Sequence, residues 1–224
     1  VIDYGTGSSP FETEELRKSL SKFLDSEFHG QKVGNYKFGV YAFYDYELEP
    51  IYVGQTKESL RTRIRRHLTN RRTDAVAMSV LDPMEVYQIC VWPITDFKGK
   101  DQKLVLDALE RKVHDLAIEQ SKFRAILNEK EPPQPLLDIE LPESFSGTII
   151  SPEVLALRSH PDSRIARRAA TIASLSHIIS ERKVNNGLRN TLITQVVRLK
   201  WLSEKRLDEL VKAHPNSDSA NDDE

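Results

Sequence analysis

Residues 36–54 constrain the fold most. Tyr36 to Asp45 is dense in aromatic and β-branched residues, Glu47 to Pro50 reads as a turn, and Ile51 to Gly54 resumes the strand pattern. So short a connection leaves only an antiparallel β-hairpin. What surrounds it is mostly helical. A helix is expected from Pro10 or Phe11, with Leu16, Leu20, Phe23 and Leu24 on one apolar face. His29 to Asn35 reads as a loop, and Thr56 to Thr69 as a helix with Leu60, Ile64 and Leu68 in step. Asp82-Pro83 breaks the chain, Met84 to Trp92 reads as a third strand, and Pro93 to Gly99 as a loop. Leu104 to Gln120 is a strong helix, with Leu106, Leu109, Val113, Leu116 and Ala117 inward. The class is α+β.

Residues 131–150 hold Pro132, Pro133, Pro135 and Pro142 with four acidic side chains and no basic one. They read as a linker, or as an extended arm because Leu136, Leu137, Ile139 and Leu141 are apolar. From Ser151 onward helix formers dominate. A helix is expected from Arg164 to about Lys183, a turn at Asn185-Asn186-Gly187, a helix to about Lys200, and a last helix capped by Ser203. Residues 1–10 and the acidic stretch 214–224 read as loose and disordered.

The formal net charge of −2 argues at first against a nucleic-acid partner. The total conceals two basic blocks. Residues 51–73 carry seven basic side chains (Lys57, Arg61, Arg63, Arg65, Arg66, Arg71, Arg72) against Glu58 alone. Residues 151–213 carry twelve against six acidic ones. Each block is either a solvated helix face or a surface for phosphates. A single cysteine, Cys90, excludes a disulfide framework and a cysteine-based zinc module. No apolar run approaches the roughly 18 residues of a transmembrane helix, and no signal-peptide pattern opens the chain. The first residue is Val1 rather than Met, which suggests a trimmed chain or a fragment.

The side chains with chemistry gather on three elements. Tyr41 and Tyr52 fall on the two hairpin strands, where paired tyrosines can share a sheet face. Arg63 and His67 stand four apart on a helix and project from one face. Glu110 lies among Leu106, Leu109 and Val113, where a charge is costly unless something pairs with it. These groups match the needs of phosphodiester hydrolysis. A carboxylate can hold one hard divalent cation, which polarises the phosphate and stabilises the leaving oxygen. An arginine can neutralise phosphoryl charge. A phenol or imidazole can take the proton of the attacking water.

In this arrangement the chain resembles the GIY-YIG endonuclease family. The name-giving motifs stand here as Gly39-Val40-Tyr41 and Tyr52-Val53-Gly54, with Val for Ile in both. Arg63 and His67 match the family's Arg-x-x-x-His, Glu110 its metal-binding glutamate, and Asn128 the asparagine that closes the module. The resemblance spans residues 36–130. It implies a three-stranded antiparallel sheet flanked by helices and DNA cleavage with one Mg²⁺ (or Mn²⁺) per active site, held by Glu110. Tyr41 is implied as general base or holder of the water, with Tyr52 and His67 assisting, and Arg63 on the phosphate. The division of labour between Tyr41 and His67 stays open. Many members carry a lysine directly after the second motif, where this chain has Gln55. If that lysine activates the tyrosine, Lys57 or Arg61 must substitute, or His67 does more of the proton transfer.

The organisation expected is an N-terminal helical arm (1–34), a GIY-YIG-like nuclease domain (35–130), an acidic proline-rich linker (131–150), a helical DNA-recognition or dimerisation region (151–213) and a disordered acidic tail (214–224). The compact size is similar to type II restriction enzymes and related defence or mobile-element nucleases. That likeness implies duplex DNA as partner, a homodimer on palindromic sites, a cognate methyltransferase and a cytoplasmic setting in a bacterial, archaeal or phage context, with no membrane. Arg61, Arg65, Arg66, Arg71 and Arg72 are expected to track the DNA backbone with Lys57. Arg167, Arg168, Arg189, Arg198 and Lys200 are candidate DNA contacts of the helical region, where Leu188 to Val211 reads as a helix-turn-helix or as a plain bundle. Two other functions fit the same residues: a nuclease of branched or single-stranded DNA, and a catalytically silent DNA-binding protein.

Overall fold

The computed structural model describes residues 10–69, 80–97 and 99–214. Helix α1 (Pro10–Asp25) buries Leu16, Leu20, Phe23 and Leu24, as their spacing requires. The expected loop after it carries a two-residue ribbon, β1 (Glu27–Phe28) with β2 (Gln31–Lys32), and a 3-10 turn at Val33–Asn35. The hairpin follows as β3 (Phe38–Tyr44) and β4 (Pro50–Thr56), in antiparallel register. Helix α2 (Leu60–Leu68) starts at Ser59, whose side chain accepts from the Thr62 amide, and buries Leu60, Ile64 and Leu68. Then come β5 (Gln88–Ile94) and helix α3 (Gln102–Gln120), capped by Asp101.

Alternation along β3 divides the molecule into layers. Val40 and Ala42 face α3, where with Val53 they meet Leu109, Val113 and Ala117. Tyr41 and Phe43 face the other way, into a larger core with Leu60, Ile64 and α1. Val40 and Ala42 are small and Tyr41 and Phe43 large, so a one-residue slip would exchange unlike side chains between two filled cores.

One expectation about the sheet is corrected. The sheet has four strands in the order β4-β3-β5-β6, because Phe145–Thr148 forms β6 against β5. Residues 131–150 run as an extended arm, one of the two readings of this stretch, held at a few points along an otherwise mostly exposed course. Its earlier part lies along α3, where Lys112 Nζ donates to the Ile139 carbonyl at 2.5 Å and Arg111 Nη1 to that of Pro132 at 3.3 Å. Phe145 then packs on Phe23 and Phe28, each ring pair with centroids 5.6 Å apart.

The C-terminal region holds α4 (Pro152–Arg158), α5 (Pro161–Glu181) and one unbroken α6 (Asn186–Ala213). The break expected at Ser203 does not occur. Its hydroxyl donates to the Leu199 carbonyl one turn back, a mid-helix arrangement, so no helix-turn-helix exists between Leu188 and Val211. Asn185 caps α6 by accepting from the Leu188 amide at 2.9 Å, and Gly187 lets the helix start abut the Glu129 carbonyl, which any Cβ would strike. No helix among the described residues is long and apolar enough to cross a membrane.

Candidate active site

The site grows from the β3–β4 register. Tyr41 lies opposite Gly54 and Phe43 opposite Tyr52, so the two tyrosines are diagonal neighbours on the face toward α2. Their ring centroids are 6.2 Å apart. Gly54 is required by this contact, since a Cβ there would sit 2.5 Å from Tyr41 Oη. One turn of α2 separates Arg63 from His67 and brings both over this face. Arg63 Nε donates to Tyr41 Oη at 3.2 Å. The His67 ring lies 5.2 Å from that of Tyr52 and 5.9 Å from that of Tyr41.

Burial raises the Tyr41 phenol well above its ordinary range, with Tyr52 adding to the effect and Arg63 opposing it. Tyr52 is raised for the same first reason, burial. Both phenols therefore hold their protons at neutral pH.

Glu110 comes from α3, on the other side of the edge strand, and Gln55 spans the gap. Its Nε2 donates to Glu110 Oε2 at 3.0 Å and to Asp107 Oδ1 at 2.9 Å. Burial pushes Glu110 up to about 7, the Gln55 bond opposes this and neighbouring Asp107 reinforces it. The donors fit a cation: two carboxylates joined through an amide whose Oε1 is buried without a hydrogen-bond partner, all hard oxygens suited to Mg²⁺ or Mn²⁺. Among the described residues no cluster of three or more His, Cys, Asp or Glu side chains gathers. A small ion that keeps much of its water matches such a sparse set. Beside it, Gln55, Thr56, Lys57, Glu58 and Arg63 line an open groove of about 350 Å³.

Asp107 escaped the sequence reading. Its only signal was its position three residues before Glu110 on the same helix face. Asn128, the asparagine expected to close the module, bonds the backbone of β4. Its Oδ1 accepts from the Val53 amide at 3.0 Å and its Nδ2 donates to the Val53 carbonyl at 2.8 Å. Both ends of the amide thus seal the free edge of β4.

The basic side chains divide. Lys57 is exposed at the groove. Arg61 donates to Asp25 and to the Leu24 carbonyl, Arg65 to Ser21, and Arg66 to Glu58. Arg71 and Arg72 lie outside the described residues. In the helical region Arg189 and Lys200 are exposed, the latter paired with Glu204 at 3.4 Å. Arg167, Arg168 and Arg198 are a correction. Arg167 pairs with Asp82 and Glu85, Arg168 with Glu85, and Arg198 with Asp45. Arg168 and Arg198 are buried and Arg167 nearly so, because carboxylates inside the fold neutralise them; they present nothing to a DNA backbone.

Residues 37–115 match the family model described as the GIY-YIG catalytic domain, so the chain carries a GIY-YIG nuclease domain. Asn128 lies beyond the matched stretch. No curated protein and no solved structure matches the chain.

Proposed function

We propose that this protein is a divalent-cation-dependent endonuclease that hydrolyses phosphodiester bonds in duplex DNA, in a restriction or defence role. The observation that carries the reading is the convergence of Tyr41, Tyr52, Arg63 and His67 on one sheet face, with Glu110 at its edge. Glu110 would hold the cation, with Asp107 and Gln55 beside it. When bound, the cation polarises the scissile phosphate and stabilises the leaving oxygen. Arg63 already donates to the tyrosine and carries the charge that a phosphoryl oxygen needs.

Tyr41 keeps its proton until the substrate alters its surroundings. Its first task is to orient the attacking water, with His67 near enough to share the proton transfer. Arg61 is engaged by α1, so of the two substitutes for the family's lysine only Lys57 stands free at the groove. A fixed duplex target calls for a cognate methyltransferase, and a palindromic one for a symmetric pair of copies.

Supercoiled plasmid with Mg²⁺ or Mn²⁺ tests the reading. Wild type is expected to nick or linearise it and Glu110→Ala to leave it intact. Tyr41→Phe is expected to lose cutting while still binding DNA. Intact plasmid with every metal and sequence tried favours the silent binder, and cutting confined to flaps or single strands favours the branched-substrate nuclease.

A further inference from the structure

Helix α6 buries one face against the fold and leaves a second, largely apolar stripe open to solvent. Leu188, Thr191, Gln195, Arg198 and Leu202 turn inward and are buried. On the opposite side Ile193, Val197, Leu207 and Val211 lie open to solvent, Ile193 and Leu207 at 61% and 59% exposure. Positions 193, 197, 200, 204, 207 and 211 advance by alternating steps of four and three, which keeps them on one straight stripe. Lys200 and Glu204 fill the two middle places, both exposed.

The positions of the stripe are symmetric about residue 202, with apolar residues matched to apolar ones and a base matched to an acid. Outward from that point stand Lys200 and Glu204, then Val197 and Leu207, then Ile193 and Val211. We propose that this face pairs antiparallel with the same face of a second copy of the chain, across a two-fold axis that crosses the stripe at the height of residue 202. Ile193 then meets the other copy's Val211, Val197 its Leu207, and Lys200 its Glu204. Apolar groups meet apolar ones, and opposite charges meet at the centre. A two-fold contact must be self-complementary in this way, residue i against j and j against i. A partner of another kind imposes no such symmetry. A parallel pairing would set Lys200 against Lys200 and Glu204 against Glu204, which repel. The seam from 193 to 211 runs about 27 Å at ~1.5 Å per residue.

The proposal stands apart from the nuclease reading and is tested without DNA, on the whole chain, by sedimentation equilibrium. Wild type is expected to be a dimer and Leu207→Glu a monomer with unchanged helicity by circular dichroism. Lys200→Glu alone and Glu204→Lys alone should each weaken the dimer roughly tenfold or more, because like charges then face each other. The double variant carrying both reversals should recover it. That rescue separates antiparallel self-pairing from any other use of the face. A monomeric wild type overturns the proposal. So does a dimer indifferent to Leu207→Glu, or two charge reversals that fail to rescue each other.

Discussion

Arg63 and Arg198 come from two arginine-rich stretches of equal net charge, and the fold uses them in opposite ways. Arg63 sits half-buried on α2, at the edge of an open groove, with its Nε on a tyrosine. Arg198 is wholly buried on α6, 3.4 Å from Asp45 and 3.7 Å from Glu49, with Nη2 on the Pro50 carbonyl at 2.5 Å and its guanidinium over the Phe123 ring. The difference lies in what each meets. The β3–β4 turn offers Asp45, Glu47 and Glu49, and the segment before β5 offers Asp82 and Glu85. Arg164, Arg167, Arg168 and Arg198 neutralise this set. The second basic block thus fastens the C-terminal helices to the nuclease domain. The first leaves a cation facing the place where substrate phosphate would lie.

The sharpest way to break that contrast is Arg198→Met. Burial lowers the Arg198 guanidinium to about 10, against the pull of Asp45, so the site bears a real cost for holding the charge. Removing the arginine leaves Asp45 and Glu49 buried without their central base. A loss of ~3–5 kcal/mol is expected in urea unfolding, the usual cost of orphaning a buried charge. A loss below about 1 kcal/mol would mean that the cluster contributes specificity and little stability.

These two fates also show what local pattern can and cannot reveal. The hairpin, α1, α2 and α3 were legible because each is set by its own apolar period, and Leu60, Ile64 and Leu68 are buried as spaced. Strand β6 was not, because Phe145–Thr148 becomes a strand only through pairing with distant β5. Gly147 fits there because the Phe23 ring leaves no room for a Cβ. Ser203 follows Leu202 and precedes Glu204 like a helix cap, yet the inward packing of Arg198 and Leu202 carries α6 straight through it. At the site, motif spacing named Tyr41, Tyr52, Arg63, His67 and Glu110. The Gln55 bridge to Asp107 depends on how β4 and α3 lie together, which no spacing states.

A second break is chemical. Glu110 is raised from 4.5 to about 7 by burial. Between those values the unfolded chain has released the proton and the folded chain keeps it, so stability falls as pH rises through that window and stays lower above it. Glu110→Gln removes the charge. In chelator at pH 8 the variant should be more stable than wild type by ~1–3 kcal/mol, after allowance for partial exposure. The gain should vanish near pH 4, while cutting is lost. Equal stability at pH 8 would mean that Glu110 is better solvated than its position implies. Thermal unfolding in buffers from pH 4 to pH 8 reads this directly.

The smallest expected effect separates the two basic blocks on DNA itself. Lys57 borders the groove beside Arg63, whereas Arg189 is exposed on the first turns of α6, outside the nuclease domain. If only the first block meets the backbone, Lys57→Ala weakens duplex binding a few-fold and lowers the slope of log affinity against log salt by about one, because one fewer counterion is released. Arg189→Ala then leaves both quantities unchanged. The measurement is a salt titration of DNA affinity in chelator, where a cation-dependent nuclease binds without cutting. A slope reduced equally by both variants would extend the DNA surface onto α6, and the exposed cations of the second block would then share a task that its buried arginines cannot perform.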